Sequence, residues 1–254
     1  MLTKDSSKNN LSITSTVFKT YLNEFCSMWN KMKTQKEKIA FDEFLNKLRI
    51  AVLDPLPGSI AHAKMNPPHR PMEQRIPMSG DLVRESAVLI LLWPEADKIS
   101  TVFILRTEYD GVHSNQIAFP GGKRELEDLD FVATALREAQ EEVGIIPDSV
   151  TIIGQLSPLY IPVSQFVVYP IVGYTTTIPS FVPNPEEIKE IIPYALFDFL
   201  RPDAMIVQDI EIRDRILPNI PCYKIGEKLI WGATAMIFSE LLDIIRPIVE
   251  TGTN

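Results

Sequence analysis

The chain has 254 residues, 45% hydrophobic and 23% charged, with a net charge of −8. That size and composition suit one sizeable globular core with an appendage, and the negative balance excludes broad nucleic-acid binding, which needs a basic footprint. No apolar run approaches the ~20 residues of a membrane helix, and Cys26 and Cys222 give neither a metal spacing nor a disulfide framework.

The start, MLTKDSSKNN, is polar and lacks an apolar signal core, so the chain reads as cytoplasmic with both thiols reduced. Residues 1–14 are expected to be disordered. Over 17–52 the apolar spacing is helical, with Phe41, Phe44, Leu45 and Leu48 at i, i+3, i+4, i+7. The proline-rich LDPLPGS breaks that pattern, and residues 59–82, which carry His62 and His69, read as irregular. From Arg84 the grammar changes. ESAVLILLW and STVFILR are β-rich runs around a polar turn. NQIAFPGG follows, then a helix from about Asp130 to Val143. VTIIGQL, PLYIP and FVVYPIVGYTT are further strands. PEEIKEIIPYALFDFL combines a strand with a helical turn, EIRDRILPNIPCYKIGEKLIWG a hairpin turning near Gly226, and ATAMIFSELLDII a closing helix. This order predicts an α/β sandwich with a mixed sheet. The organisation expected is an N-terminal extension over 1–52, a proline-rich segment over 53–83 and the main domain over 84–250.

The helix near residue 140 raises the functional question. Val132, Leu136, Ala139 and Val143 form one apolar stripe, and Glu138, Glu141 and Glu142 are expected within about a 100° arc opposite it. A solvated acidic face and a metal site both explain such a pattern. Three details favour the metal. Like charges at i, i+3 and i, i+4 destabilise a helix, carboxylates near its C-terminus oppose the macrodipole, and a hard divalent cation reverses both penalties. Just upstream, Gly121–Gly122 offers bare backbone for close approach to a metal or phosphate.

GGKRELEDLDFVATALREAQEEVGI resembles the Nudix box, Gly-x5-Glu-x7-Arg-Glu-apolar-x-Glu-Glu-x-Gly-apolar. Its second half matches in full through Arg137, Glu138, Ala139, Glu141, Glu142, Gly144 and Ile145. Its first half departs: Asp128 stands where Glu is usual, and eight residues rather than seven separate it from Arg137. Glu127 is the alternative for that place. The resemblance implies a Nudix fold, an α/β/α sandwich, and hydrolysis of a nucleoside diphosphate linked to another group. It implies Mg²⁺ or Mn²⁺ held by Glu138, Glu141, Glu142 and the Gly121 carbonyl. Glu138, Arg137 and Glu141 are the catalytic candidates, with Arg137 orienting the glutamates.

FILRTEYDGVHSNQIAFPGG is similar to the signature of the coenzyme A diphosphatase branch. Arg106, His113, Gln116, Ile117, Phe119, Pro120, Gly121 and Gly122 match in order, with Asn115 replacing a glycine. The resemblance extends over about 41–245. It implies cleavage of coenzyme A to 3′,5′-ADP and 4′-phosphopantetheine, with Arg106, Gly122, Lys123 and Gln116 as substrate-binding candidates. Arg70, Arg75 and Arg124 are further cations, each readable as a solvated charge. His113 is an acid–base candidate that reads more readily as a turn residue, and His62 and His69 are phosphate-contact candidates that read more readily as exposed. Tyr160, Phe166 and Tyr169 are wall candidates, with at least two expected in the core. Glu186 and Glu187 are either a late catalytic carboxylate or a helix start. The closing stripe Ile230, Met236, Ile237, Leu241 and Leu242 is expected in the core. The partner expected is a small nucleotide, with no nucleic acid or membrane. The N-terminal helices are candidates for homodimerisation. The rival readings are a Nudix hydrolase of ADP-ribose or NADH, and a non-catalytic nucleotide sensor.

Overall fold

The computed structural model describes residues 40–72, 77, 83–107, 116–212 and 215–251. The expectations for residues 1–39, Cys26, Arg75, His113 and Asn115 lie outside the described residues.

Two short helices come first, α1 (Phe41–Ala51) and α2 (Ser59–Lys64). Then follow β1 (Arg84–Glu95), β2 (Lys98–Arg106), β3 (Ile117–Ala118), β4 (Gly121–Lys123), α3 (Phe131–Val143), β5 (Thr151–Gln155), β6 (Leu159–Ile161), β7 (Phe166–Tyr174) and β8 (Ile188–Ala195). A 3₁₀ turn over Leu196–Leu200 leads to β9 (Met205–Ile212), β10 (Arg215–Ile225), β11 (Lys228–Trp231) and α4 (Gly232–Thr251). The finding of α2 corrects the irregular reading of 59–82 at its start. Gly58 turns the chain with φ 51°, a conformation that costs glycine little, and lets a helix begin directly after the prolines.

The main sheet runs β3-β2-β1-β7-β5, with β4 and β6 added beside β1 and β7 and β8 beside β2. It is mixed: β1 pairs parallel with β7 from Arg84↔Phe166 to Leu92↔Tyr174 and antiparallel with β2 and β4. Strand β1 explains the layering. Side chains alternate across a strand, and both faces of this one are covered, so it reads as a continuous apolar run. Ala87, Leu89, Leu91 and Trp93 enter the core under α3. Ile90 and Leu92 enter the core under α1 and α4. The result is the expected α/β/α sandwich. Helix α1 belongs to this core: Phe44, Leu45 and Leu48 are buried in it, and Phe44 meets Phe197 edge-on at 5.5 Å. Strands β9 to β11 form a separate antiparallel sheet, with Cys222 buried in it. Among the described residues no helix is long and apolar enough to cross a membrane.

Helix α3 is fixed at both ends. Asp130 caps it by accepting from Ala133 N at 2.8 Å, and Gly144 ends it in the left-handed conformation at φ 72°. Its buried line is Ala135, Ala139 and Val143, while Val132 and Leu136 are only partly covered. The expected stripe is therefore rotated toward the alanines. Small side chains let the helix sit close to β1 and β4, and this carries Glu142 inside.

Candidate active site

The double glycine of β4 brings helix and sheet together, and its two members do different work. Gly121 lies at φ 153°, where an added Cβ would stand 2.3 Å from the Ala87 carbonyl oxygen. It permits the pairing of β4 with β1. An added Cβ on Gly122 would stand 2.3 Å from a Glu138 carboxylate oxygen. It leaves the space that Glu138 fills.

The glutamates divide between two arginines. Glu142 is wholly buried. Its Oε2 accepts from Gly121 N at 2.8 Å. Arg106 lies 3.0 Å from its Oε1 but outside hydrogen-bonding geometry, so Oε1 is buried with no hydrogen-bond donor among the described residues. Burial pushes the Glu142 carboxyl up to about 7, against the pull of Arg106 and Gly121 N and with the help of Glu138 and Glu187. Burial also raises Glu138, opposed by Arg137 and reinforced by Glu141 and Glu187. The Glu141 side chain is 56% exposed and lies 3.1 Å from Arg137. Among the described residues no three acidic, histidine or cysteine side chains form a metal-binding group. The expected convergence of Glu138, Glu141 and Glu142 opposite the apolar stripe is corrected accordingly. Like charges one turn apart repel, Glu138 and Glu141 share Arg137 while Glu142 pairs with Arg106, and Glu142 lies on the buried face.

Arg137 is the hub. It contacts Asp128 through Nε–Oδ1 at 3.0 Å and Nη2–Oδ2 at 3.1 Å, Glu138 at 3.0 Å, Glu141 at 3.1 Å and the Lys123 carbonyl at 2.9 Å. Such a forked pair with a carboxylate is strong and directional. Its hydrogen bond to Arg137 is the main cause that holds Asp128 down at about 2. Asp128, not the exposed Glu127, is thus the partner of Arg137. The extra residue of the box is taken up in the loop before α3.

The segment NPEE does not start a helix, which corrects that alternative. It turns beneath the C-terminal end of α3, where Asn184 N donates to the Glu142 carbonyl and Val182 N to the Val143 carbonyl, each at 2.9 Å. The turn sets Glu187 close enough for its charge to raise both Glu138 and Glu142. Glu187 is exposed, and its side chain has no ion pair among the described residues.

Beside these carboxylates lies a cavity of about 280 Å³. Arg106, Gln116, Gly121, Gly122 and Lys123 all line it, as does Phe166. Tyr160 is core, and Tyr169 stacks on Phe131 at 3.5 Å on the sheet's other face. Arg124 is engaged elsewhere, 3.1 Å from Glu85. Arg70 does not line the cavity. His62 is corrected from exposed to buried. It lies in α2 with Nε2 3.3 Å from Glu240 Oε2, and His69 stays exposed. Of the closing stripe, Ile237 is both core and cavity wall.

Sequence reasoning missed Ser86, Ser164 and Thr234 in the cavity wall, because each sits in a different element. It also missed Glu240. The signal was present: Met236, Glu240 and Ile244 are spaced i, i+4, i+8 on a core stripe, and an acid there requires buried partners.

Residues 83–214 match the NUDIX domain family. The chain is 33% identical over 180 residues to an uncharacterized Nudix hydrolase, NudL, of Pectobacterium atrosepticum, covering 70% of this chain and 87% of that protein. It is 37% identical over 118 residues to the peroxisomal coenzyme A diphosphatase NUDT7 of Mus musculus, covering 46% of this chain and 50% of that protein. A solved Nudix hydrolase from M. Smegmatis, RenU, aligns with TM-score 0.46 at 16% identity over 65% of this chain and 87% of that one.

Proposed function

The chain belongs to the NUDIX family and is a Nudix hydrolase, and we propose that it cleaves the diphosphate of coenzyme A to 3′,5′-ADP and 4′-phosphopantetheine. The observation that carries this reading is the cavity in which Arg106, Gln116, Gly122 and Lys123 meet beside the box carboxylates. The relation to the mouse coenzyme A diphosphatase supports it over the matched half.

The donors on α3 and β4 are hard oxygens, Glu138, Glu142 and the Gly121 carbonyl, with Glu141 as the further candidate, and a bound ion would have to draw them together. That set suits Mg²⁺ or Mn²⁺ rather than a soft ion, and Oε1 of Glu142 already faces a cation, Arg106 at 3.0 Å, without a hydrogen bond to it. Bound there, the ion would neutralise diphosphate charge and activate water. Arg106 and Lys123 would bind phosphoryl oxygens. A guanidinium suits such oxygens geometrically. Arg137, anchored by Asp128, holds the Glu138 and Glu141 carboxylates in orientation. Glu187, whose charge acts on both Glu138 and Glu142 and which has no ion pair among the described residues, would take the proton of the attacking water. Burial of this chemistry against the cavity wall limits competing water and strengthens the charge interactions.

The test is a panel of coenzyme A, ADP-ribose and NADH with Mg²⁺ or Mn²⁺ and identification of products. The expected outcome is 3′,5′-ADP and 4′-phosphopantetheine from coenzyme A. Turnover of another substrate without coenzyme A cleavage overturns the reading, and binding without turnover of any would make the chain a sensor. For the base, Glu187→Gln should lower kcat with little change in KM. An unchanged kcat removes Glu187 from the role.

A further inference from the structure

Every second side chain of a strand shares a face. Val88 and Ser86 of β1 line the cavity, so Arg84, the first residue of that strand, stands on the same face two positions beyond Ser86. The neighbouring strands fix the level of each position. On β4, Gly121 pairs with Val88 and Lys123 with Ser86, and on β7 Phe166 pairs with Arg84. Arg106 donates from Nη1 to the Gly121 carbonyl at 3.4 Å. Cations therefore mark three successive levels of one face: Arg106 beside Val88, Lys123 beside Ser86, and Arg84 last. The first and last levels are roughly 13 Å apart along the strand.

Arg84 is exposed, yet its side chain is held on two sides. Nη2 donates to the Ser164 carbonyl, and the guanidinium carbon lies 4.2 Å from the centroid of the Phe166 ring. Ser164 and Phe166 both line the cavity, so the guanidinium sits at its rim. A carbonyl and a ring face orient an arginine without neutralising it. Here Arg84 differs from Arg124 and Arg137, which are each paired with a carboxylate; among the described residues no carboxylate forms an ion pair with Arg84. Of the five N–H donors of a guanidinium, the Ser164 carbonyl takes one. The others are oriented in advance for an anion, so little side-chain entropy is left to lose on binding one.

We infer that Arg84 determines specificity: its guanidinium binds the 3′-phosphate of the substrate's ribose while the diphosphate lies at Arg106 and Lys123. The inference rests on the coenzyme A reading. A 3′-phosphate is one ribose away from the diphosphate, and Arg84 is the next cation along the β1 face after Lys123. A phosphate monoester carries roughly −1.5 to −2 charge and three acceptor oxygens, which a guanidinium fork matches in charge and geometry. The uncharged pantetheine arm would gain far less from such a group. ADP-ribose and NADH carry no phosphate beyond their diphosphate, so Arg84 would also favour coenzyme A over them.

The test compares wild type with Arg84→Gln on coenzyme A and on its 3′-dephospho form. In wild type the KM for the dephospho form should be about tenfold the higher, the worth of a charge-assisted hydrogen bond. Arg84→Gln should raise KM for coenzyme A about tenfold and leave that for the dephospho form within about threefold, so that the preference disappears. Turnover of the dephospho form also shows that the variant is folded. Calorimetric binding supplies a reading independent of turnover, since 3′,5′-ADP and 5′-AMP differ by that phosphate alone. Arg84→Gln should weaken 3′,5′-ADP about tenfold and leave 5′-AMP nearly unchanged. If coenzyme A is cleaved but the wild type shows no preference, or Arg84→Gln keeps it or raises both KM values alike, this inference falls and the coenzyme A reading stands. It falls too if inhibition by 4′-phosphopantetheine weakens in the variant while binding of 3′,5′-ADP holds. If wild type does not cleave coenzyme A, both fall.

Discussion

Two glutamates among the described residues are wholly buried, and they are buried for opposite reasons. Glu240, in α4, accepts from Gly58 N at 2.8 Å, Ser157 N at 3.0 Å and Ser157 Oγ at 2.6 Å, with His62 at 3.3 Å. Burial alone would raise its pKa; the His62, Ser157 and Gly58 contacts outweigh that and bring it below the usual value. Glu142, in α3, has one hydrogen bond and an ion pair with Arg106 at 3.0 Å whose oxygen lacks hydrogen-bonding geometry, and burial leaves it high. A buried charge is tolerated when its lone pairs are filled. Glu240 meets that condition and ties α2, the Gly58 turn and the β5–β6 connection to α4. Glu142 does not meet it, and an under-satisfied acid beside a cavity marks a place where binding, not folding, completes the set.

The sharpest way to break this contrast is to neutralise each acid. Glu142→Gln should cut kcat by roughly 10³-fold, the several kcal/mol of charge stabilisation a metal site supplies, while the urea midpoint holds or rises. Glu138→Gln should lose activity likewise. Full turnover in either variant would remove it from the metal site. Glu240→Gln should do the reverse. Turning an acceptor into a donor leaves Gly58 N or Ser157 N unpaired, at a cost of about 2–3 kcal/mol in urea unfolding. If Glu240→Gln melts like wild type, the assignment of Glu240 as a structural clamp is wrong.

A smaller effect sharpens the same division inside the box. The Gly121→Ala Cβ meets fixed backbone at 2.3 Å, and the Gly122→Ala Cβ meets the Glu138 side chain at the same distance. A side chain can rotate away and backbone cannot. Gly121→Ala should therefore lose about 2 kcal/mol of stability. Gly122→Ala should keep nearly all its stability and lose roughly 10-fold or more in kcat/KM, because displacing a positioned group by an ångström is enough. Equal melting temperatures for the two variants would refute the distinction.

The contrast also explains what could be read from sequence. The layering was legible in β1, whose apolar run needs cover on both faces, and α3 was legible from its stripe, Asp130 and Gly144. The box carboxylates were legible because one helix carries them. The orientation was not. Choosing Val132 and Leu136 over Ala135 for the stripe turned Glu142 outward on paper, because alanines count little in a pattern of large apolar residues yet permit the closest packing. The extra residue displaces Asp128 from the box spacing, and only the loop's path shows it meeting Arg137. The Glu240 clamp and the Ser164 end of the cavity were hidden for another reason. Residues 58, 62, 157 and 240 meet only through topology, and a serine in a turn carries no signal until its neighbours are known.

The last and smallest expected effect is in acid. For Glu240 the folded-state pKa lies below the ordinary 4.5, and for Asp128 it falls from 3.8 to about 2. A depressed folded value means that folding favours the ionised form. That contribution is complete above the unfolded pKa and is lost as pH falls through the folded one. Wild-type melting temperature should therefore decline as pH drops below about 4.5 and continue declining toward 2. Glu240→Gln should flatten the upper part of that limb, and Asp128→Asn the lower part, since the two sites share no partner and should act independently. Identical acid limbs in wild type and Glu240→Gln would mean that the buried donors do not hold that carboxylate ionised, and the contrast with Glu142 would lose its electrostatic basis.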